Sequence, residues 1–208
     1  MILIGQYDSS FVRRVGIALR LYDIPFEHRP WSTFGEGEKV QQFNPLIRVP
    51  TLVLDGGDVL IESHVILDHV DSLVAPEQRL YPQAEPARHR AMKIAALATG
   101  LADKGVSLFY EKVLHSDVSE LWEARCRSQI AATLAELEAS RAALTEDFWF
   151  GAKPGHADIA VAASLRHIND AHPGLIAWEK YPALAAHCAR LEATPIFQEI
   201  SQPFIAPA

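Results

Sequence analysis

The strongest constraint on this chain is a change of hydrophobic period partway along it. The first 75 residues alternate short strand signals with helical ones, and beyond about residue 87 almost every apolar repeat is helical. Ile2–Gly5 is a short apolar strand, and Phe11, Val15, Ala18, Leu19 and Tyr22 recur at helical spacing. Pro25–Trp31 is expected to be an edge strand because Pro30 cannot donate to a ladder. A short helix over Gly37–Phe43 is stopped by Asn44-Pro45. Strands at Thr51–Asp55 and Val59–Ile61 flank Asp55-Gly56-Gly57-Asp58, a hairpin signal, and a helix follows over Ser63–Leu73. The order is β-α-β-α-β-β-α.

Pro76, Pro82 and Pro86 then punctuate a polar stretch that separates the halves. Long helices are expected over Ala87 to about His115 and Val118–Leu144, with shorter ones over Ala157–Asp170 and Tyr181–Glu192 and a turn after Pro195. The fold class is therefore α+β with two domains: residues 1–75, a linker over 76–86, and an all-helical domain over 87–208.

Composition narrows the function. Apolar residues are 49% and charged residues 22% of the chain, a globular profile, and the formal net charge is −7. An acidic chain without a basic run is a poor partner for nucleic acid or an anionic membrane. No apolar run approaches the roughly 20 residues of a membrane span. Met1-Ile2-Leu3-Ile4-Gly5 is too short for a secretory leader and is expected to be a strand. Cys126 and Cys188 lie far apart, which predicts no disulfide framework and a cytoplasmic home. His64/His69 and His167/His172 are five apart, a spacing that does not share a helix face, so no metal site is expected.

Three short constellations could carry chemistry. Tyr7-Asp8-Ser9-Ser10-Phe11-Val12-Arg13-Arg14 joins the first strand to the first helix. Ser9 and Ser10 suit an N-cap, and a hydroxyl at a helix start also stabilises an anion. Val49-Pro50 opens a strand, where base rates favour a trans bond. Glu62-Ser63 ends one strand and can cap the next helix; it also offers a carboxylate to an ammonium and a hydroxyl to a carboxylate. Arg48 through Ser63 thus offers backbone groups, an acid and a hydroxyl within 16 residues.

A Ser-Phe-x-x-Arg helix start, a Val-Pro strand start and a Glu-Ser helix start, in that order before a helical domain, resemble the soluble glutathione transferases. The most specific segment is Asn44-Pro45-Leu46-Ile47-Arg48-Val49-Pro50-Thr51-Leu52, and the resemblance covers essentially the whole chain. It implies a thioredoxin-like first domain, a cis Val49-Pro50 bond, and glutathione as cosubstrate with no metal. Val49 would pair with the ligand backbone as an added strand, and Glu62 and Ser63 would hold the γ-glutamyl end. Ser10, Phe11, Arg48 and Pro50 complete the implied binding set. Ser9 matches the activating serine of serine-type members, with Ser10 and Tyr7 as alternatives. Gly155-His156-Ala157-Asp158-Ile159 resembles the family's helix-capping box; Gly155 replaces the hydroxyl cap, so Asp158 can supply only one of the two reciprocal bonds.

Ile47 stands where related sequences often carry glycine, and isoleucine there would be strained if φ is positive. An electrophile site would lie between the domains, drawing on Trp31, Phe34, Thr99, Asp103 and Tyr110; packing in a core or a dimer is the competing explanation of the aromatics. The implied protein is a cytoplasmic homodimer that detoxifies small hydrophobic electrophiles. A glutathione-dependent isomerase or dehalogenase, or a non-catalytic glutathione-binding scaffold, are the alternatives.

Overall fold

The computed structural model describes residues 1–206. Four strands, β1 (Ile2–Ile4), β2 (Glu27–Arg29), β3 (Thr51–Val53) and β4 (Val59–Ile61), form one sheet in the order β2-β1-β3-β4. β1 pairs parallel with β2 and antiparallel with β3, and β3 with β4 is a hairpin. Helices α1 (Ser10–Leu21), α2 (Gly37–Gln41) and α3 (Ser63–Ser72) complete this half. The expected β-α-β-α-β-β-α order is observed. β2 sits at the sheet edge with a partly exposed face, where the neighbouring Pro30 is harmless.

Five helices follow: α4 (Ala87–Leu114), α5 (Glu120–Ala142), α6 (His156–Ala171), α7 (Pro182–Glu192) and α8 (Pro195–Glu199). α4 and α6 pack through alanines and branched residues, including Ala95, Ala98, Leu101, Ala160, Val161 and Leu165, all buried. A second core lies between the sheet and α1, and it reaches into the helical half through Ile159, Ala162, Leu191 and Phe197. The domains therefore share a core.

The stretch between α3 and α4 reads from sequence as a linker, yet it is anchored. Tyr81 is buried. The Leu80 N–H donates to Tyr22 Oη at 2.6 Å, and its carbonyl accepts the His156 N–H at 3.1 Å. Asp71 on α3 accepts from Tyr22 at 2.5 Å and lies 2.7 Å from His156 Nε2, closing a buried polar node between the halves. Burial opposes the charge on Asp71, but these hydrogen bonds hold its carboxyl below the usual range.

The start of α6 explains its missing hydroxyl. A Cβ on Gly155 would stand 2.6 Å from the Leu80 carbonyl oxygen, so a serine or threonine cap does not fit. One capping bond remains, from the Gly155 N–H to Asp158 Oδ2 at 2.8 Å. Asp158 spends its other oxygen on the Trp149 N–H at 3.0 Å, tying the preceding loop down.

Candidate functional site

A cavity of about 780 Å³ opens between the two halves. It meets the start of α1, the loop after β2, the loop before β3, one face of α4, and the tail after α8.

α1 begins without a side-chain cap. Ser9 has extended backbone geometry at the N-cap position, but its hydroxyl makes no capping bond. Helical bonding starts with Arg13 N–H to the Ser9 carbonyl at 2.9 Å, which leaves the N–H groups of Ser10, Phe11 and Val12 without intrahelical acceptors. Ser9, Ser10 and Phe11 all line the cavity. They differ in access: Ser9 is half-buried, whereas Ser10 is 2% exposed and its Oγ is enclosed without a partner. Tyr7 points elsewhere. Its ring stacks on His28 with centroids 3.8 Å apart, and burial, with Glu199 nearby, pushes its phenol up to about 12.

The loop before β3 carries the expected bond: Val49–Pro50 is cis, as is Glu85–Pro86. Ile47 has φ +51°, the left-handed region that disfavours branched side chains. Asn44, fully buried, holds the loop in this shape. Its Nδ2 donates to the Arg48 carbonyl at 2.9 Å and to Thr51 Oγ1 at 3.1 Å, and its Oδ1 accepts the Leu46 N–H at 3.0 Å. Gly5 lets this loop meet α1, since at φ +127° an added Cβ would lie 2.5 Å from Val12 and 2.8 Å from Val49. Neither Asn44 nor Gly5 is among the candidate site residues; Asn44 is legible in the sequence as a helix stop and as the first residue of the segment that most resembles the family, not as the residue that shapes the loop.

Arg48 and Val49 line the cavity; Pro50, Glu62 and Ser63 lie outside its wall. Arg48 Nη1 is 3.1 Å from Glu62 Oε1, so that pair continues the cavity edge toward α3. Ser63 does not cap α3: it is the first helical residue, Glu62 takes the cap position with φ +67°, and no side-chain capping bond forms.

Four of the five expected electrophile-side residues, Trp31, Phe34, Asp103 and Tyr110, are on the wall. Phe34 and Tyr110 meet edge-to-face at 5.5 Å, bridging the two halves. Burial raises the Asp103 carboxyl and the Tyr110 phenol above their usual values. Thr99 is a correction. It lies one helical turn, roughly 6 Å, before Asp103 on α4, where its hydroxyl meets His64 of α3. Its Oγ1 bonds the Ala95 and Ala96 carbonyls and sits 3.2 Å from His64 Nε2.

The wall also contains Asp8, Val106, Phe109, His167, Phe204 and Ile205, which were not singled out from the sequence. Val106 and Phe109 follow Asp103 at three and six, so helical spacing could have found them. The tail carries no periodic signal; Asp8 Oδ2 fixes it by accepting the Ile205 N–H at 3.0 Å. Among the described residues no cluster of three or more side chains suits a metal ion, and no helix is long and apolar enough to cross a membrane.

Two family models match the chain: the glutathione S-transferase N-terminal domain over residues 3–78 and the C-terminal domain over residues 120–190. A crystallised glutathione S-transferase of Methylobacterium radiotolerans, in complex with glutathione sulfonate, is 28% identical with a TM-score of 0.89. The match covers 100% of this chain and 98% of that one. An uncharacterised GST-like protein of Escherichia coli, YibF, is 36% identical over 51% of this chain and 52% of its own length. Several other curated relatives are likewise matched over half their length or less. A maleylacetoacetate isomerase of Pseudomonas aeruginosa is 27% identical over 95% of this chain and 97% of its own. With both of its domain models matched and the fold shared along its whole length, this chain belongs to the glutathione S-transferase family.

Proposed function

We propose that the protein is a glutathione transferase that activates the glutathione thiol at the start of α1. The observation that carries this is the accessible Ser9 hydroxyl, with its uncapped helix turn, on the same cavity wall as Val49 and Arg48. Glutathione would lie along the Val49 edge as an added strand, with its γ-glutamyl end toward Glu62 and Ser63.

The energetics suffice. Lowering a thiol pKa from about 8.5 to about 6.5 needs about 2.7 kcal/mol in favour of the anion. A hydrogen bond to a charged group contributes about 1.5–3 kcal/mol, and a helix N-terminus about 0.3–1 kcal/mol. Ser9 donates to sulfur and need not accept its proton. Ser10 is the weaker candidate because its enclosed Oγ cannot meet a ligand as placed, and Tyr7 is off the cavity wall. Trp31, Phe34, Asp103 and Tyr110 would then face the electrophile.

The test is the ultraviolet thiolate absorbance of bound glutathione against pH. Ser9→Ala is expected to raise the bound thiol pKa by about 1–2 units, and Tyr7→Phe to leave it unchanged. Glutathione that binds yet titrates as in free solution would leave only the scaffold reading. The full-length similarity to the Pseudomonas isomerase favours one other activity. An isomerase turns over without consuming glutathione, so the glutathione balance separates the two. We further propose a cytoplasmic homodimer, to be checked by light scattering on the purified protein.

A further inference from the structure

Asp8 carries a carboxylate that no other side chain neutralises. It stands in the turn between β1 and α1, half-buried on the cavity wall, immediately before Ser9. Its Oδ2 accepts the Ile205 N–H at 3.0 Å, and its Oδ1 keeps accessible surface with no partner among the described residues. The nearby bases are spent elsewhere. Arg13 and Arg166, which share a second void of about 10 Å³ with Asp8, pair with Glu192 and Asp170 at 2.6 Å each. His167, whose Nδ1 lies 2.8 Å from the Asp8 carbonyl oxygen, is held below the usual imidazole value by burial and is neutral at neutral pH. The other two charges on the wall accompany Glu62: Arg48 Nη1 is 3.1 Å from Glu62 Oε1, and Arg48 opposes the burial that raises the Asp103 carboxyl. Tyr110, on the α4 wall, has its phenol raised first by burial and then by Asp8, so the carboxylate's field reaches across the cavity. The remaining surroundings are rings: Phe34 meets Tyr110 edge-to-face at 5.5 Å, and Phe109 meets Phe204 at 5.1 Å.

We propose that the cavity takes electrophiles with a flat apolar body bearing a protonated amine, with the Asp8 carboxylate as the counter-ion. This rests on the glutathione reading of the site, and it names the cosubstrate class. A carboxylate half-buried without a counter-charge is costly, and a cation arriving at Oδ1 supplies that charge. The rings of Phe34, Phe109, Tyr110 and Phe204 would cover the apolar body, and their faces favour the same charge. An electrophile bearing a carboxylate meets Asp8 as a like charge, and Arg48, already paired with Glu62, is the only base on the wall among the described residues.

Product analogues test this without turnover. The wild-type protein is titrated calorimetrically at neutral pH with glutathione, S-benzylglutathione, its meta- and para-(aminomethyl)benzyl counterparts, and the para-carboxybenzyl conjugate. One aminomethyl isomer is expected to bind about tenfold more tightly than the benzyl parent, and the carboxybenzyl conjugate about tenfold more weakly. Raising the salt to about 1 M is expected to shrink both margins in the wild type. Asp8→Asn keeps an oxygen for the Ile205 N–H and deletes the charge, and it is expected to bring all the conjugates within about twofold of one another. The margin is a ratio of two conjugates on one protein, so a general loss of affinity in the variant cancels. Asp103→Asn is expected to keep the margin. Benzyl and aminomethyl conjugates binding alike to the wild type, or a margin indifferent to salt, would overturn the inference alone. So would tightest binding of the carboxybenzyl conjugate, or a margin that survives Asp8→Asn and vanishes in Asp103→Asn. Failure of every ligand, glutathione included, would overturn the glutathione reading and this inference together.

Discussion

Ser10 and Ile47 show single residues working against stability beside the cavity. Ser10 buries a hydroxyl that no group satisfies, and an unsatisfied buried polar atom costs roughly 1–3 kcal/mol. Ser10→Ala is therefore expected to stabilise the protein by about 1 kcal/mol in urea unfolding while leaving the bound thiol pKa in place. Destabilisation together with a raised thiol pKa would transfer the activating role from Ser9 to Ser10. Ile47 is a β-branched residue at φ +51°, a conformation costing L-residues roughly 1–2 kcal/mol. Both Ile47→Ala and Ile47→Gly remove the side chain, but only glycine also removes the strain. The glycine variant is expected to be more stable than the alanine variant by about 1 kcal/mol, reversing the usual order. The usual order would mean that Asn44 and its three hydrogen bonds do not hold the residue in this shape. Strain at Ile47 was legible from the resemblance, since related sequences often carry glycine there; its cause was not, because the Asn44 bonds exist only once the loop has closed.

Helix starts are where element-level reading and structure part. Spacing located α1, α3 and α6, yet none of the three is capped by a serine or threonine hydroxyl. α5 shows the ordinary solution, with Ser119 Oγ accepting the Trp122 N–H at 3.3 Å. At α6 the polar work falls to buried Asp158 and its neighbour His187. Burial pushes the Asp158 carboxyl up to about 6, although the Gly155 and Trp149 N–H groups pull it down. Burial pushes His187 down to about 4. The signs oppose. A carboxyl with a raised folded pKa favours the folded state most below its unfolded value and loses that contribution as pH rises through about 6. An imidazole with a depressed folded pKa contributes above its unfolded value of 6.5 and loses that as pH falls toward 4. His187→Phe keeps a ring against Trp149, whose centroid lies 4.8 Å away, and deletes the second effect. From about pH 7 to about pH 5 the variant is expected to gain about 2 kcal/mol relative to wild type in chemical denaturation. Parallel stability curves would show that His187 takes up its proton in the folded protein over the same pH range as in the unfolded chain.

Across the whole molecule, Arg13 fastens the tail region to the first domain. Its buried guanidinium donates to both Glu192 oxygens at 2.6 and 2.7 Å and to the Ile200 and Phe197 carbonyls at 2.8 Å. Arg13→Met leaves those carbonyls unpaired and is expected to cost about 3 kcal/mol, with faster proteolysis between α7 and the tail. A loss under about 1 kcal/mol would mean that the apolar packing of Phe197 and Ile200 against α1 carries the junction alone. The sequence by itself determined the two-period division, the order of strands and helices, and the Val-Pro and Glu-Ser signatures of the family. Those are readable because helical and strand periods, turn residues and motif spacing are local properties of the chain. Tertiary structure alone decided which serine is accessible, that Thr99 falls off the cavity, and that the tail closes its wall. It also brought His167 to a carbonyl 159 residues earlier in the chain. Partners so far apart in sequence meet only through the packing of α6 on α1, and no local period encodes that.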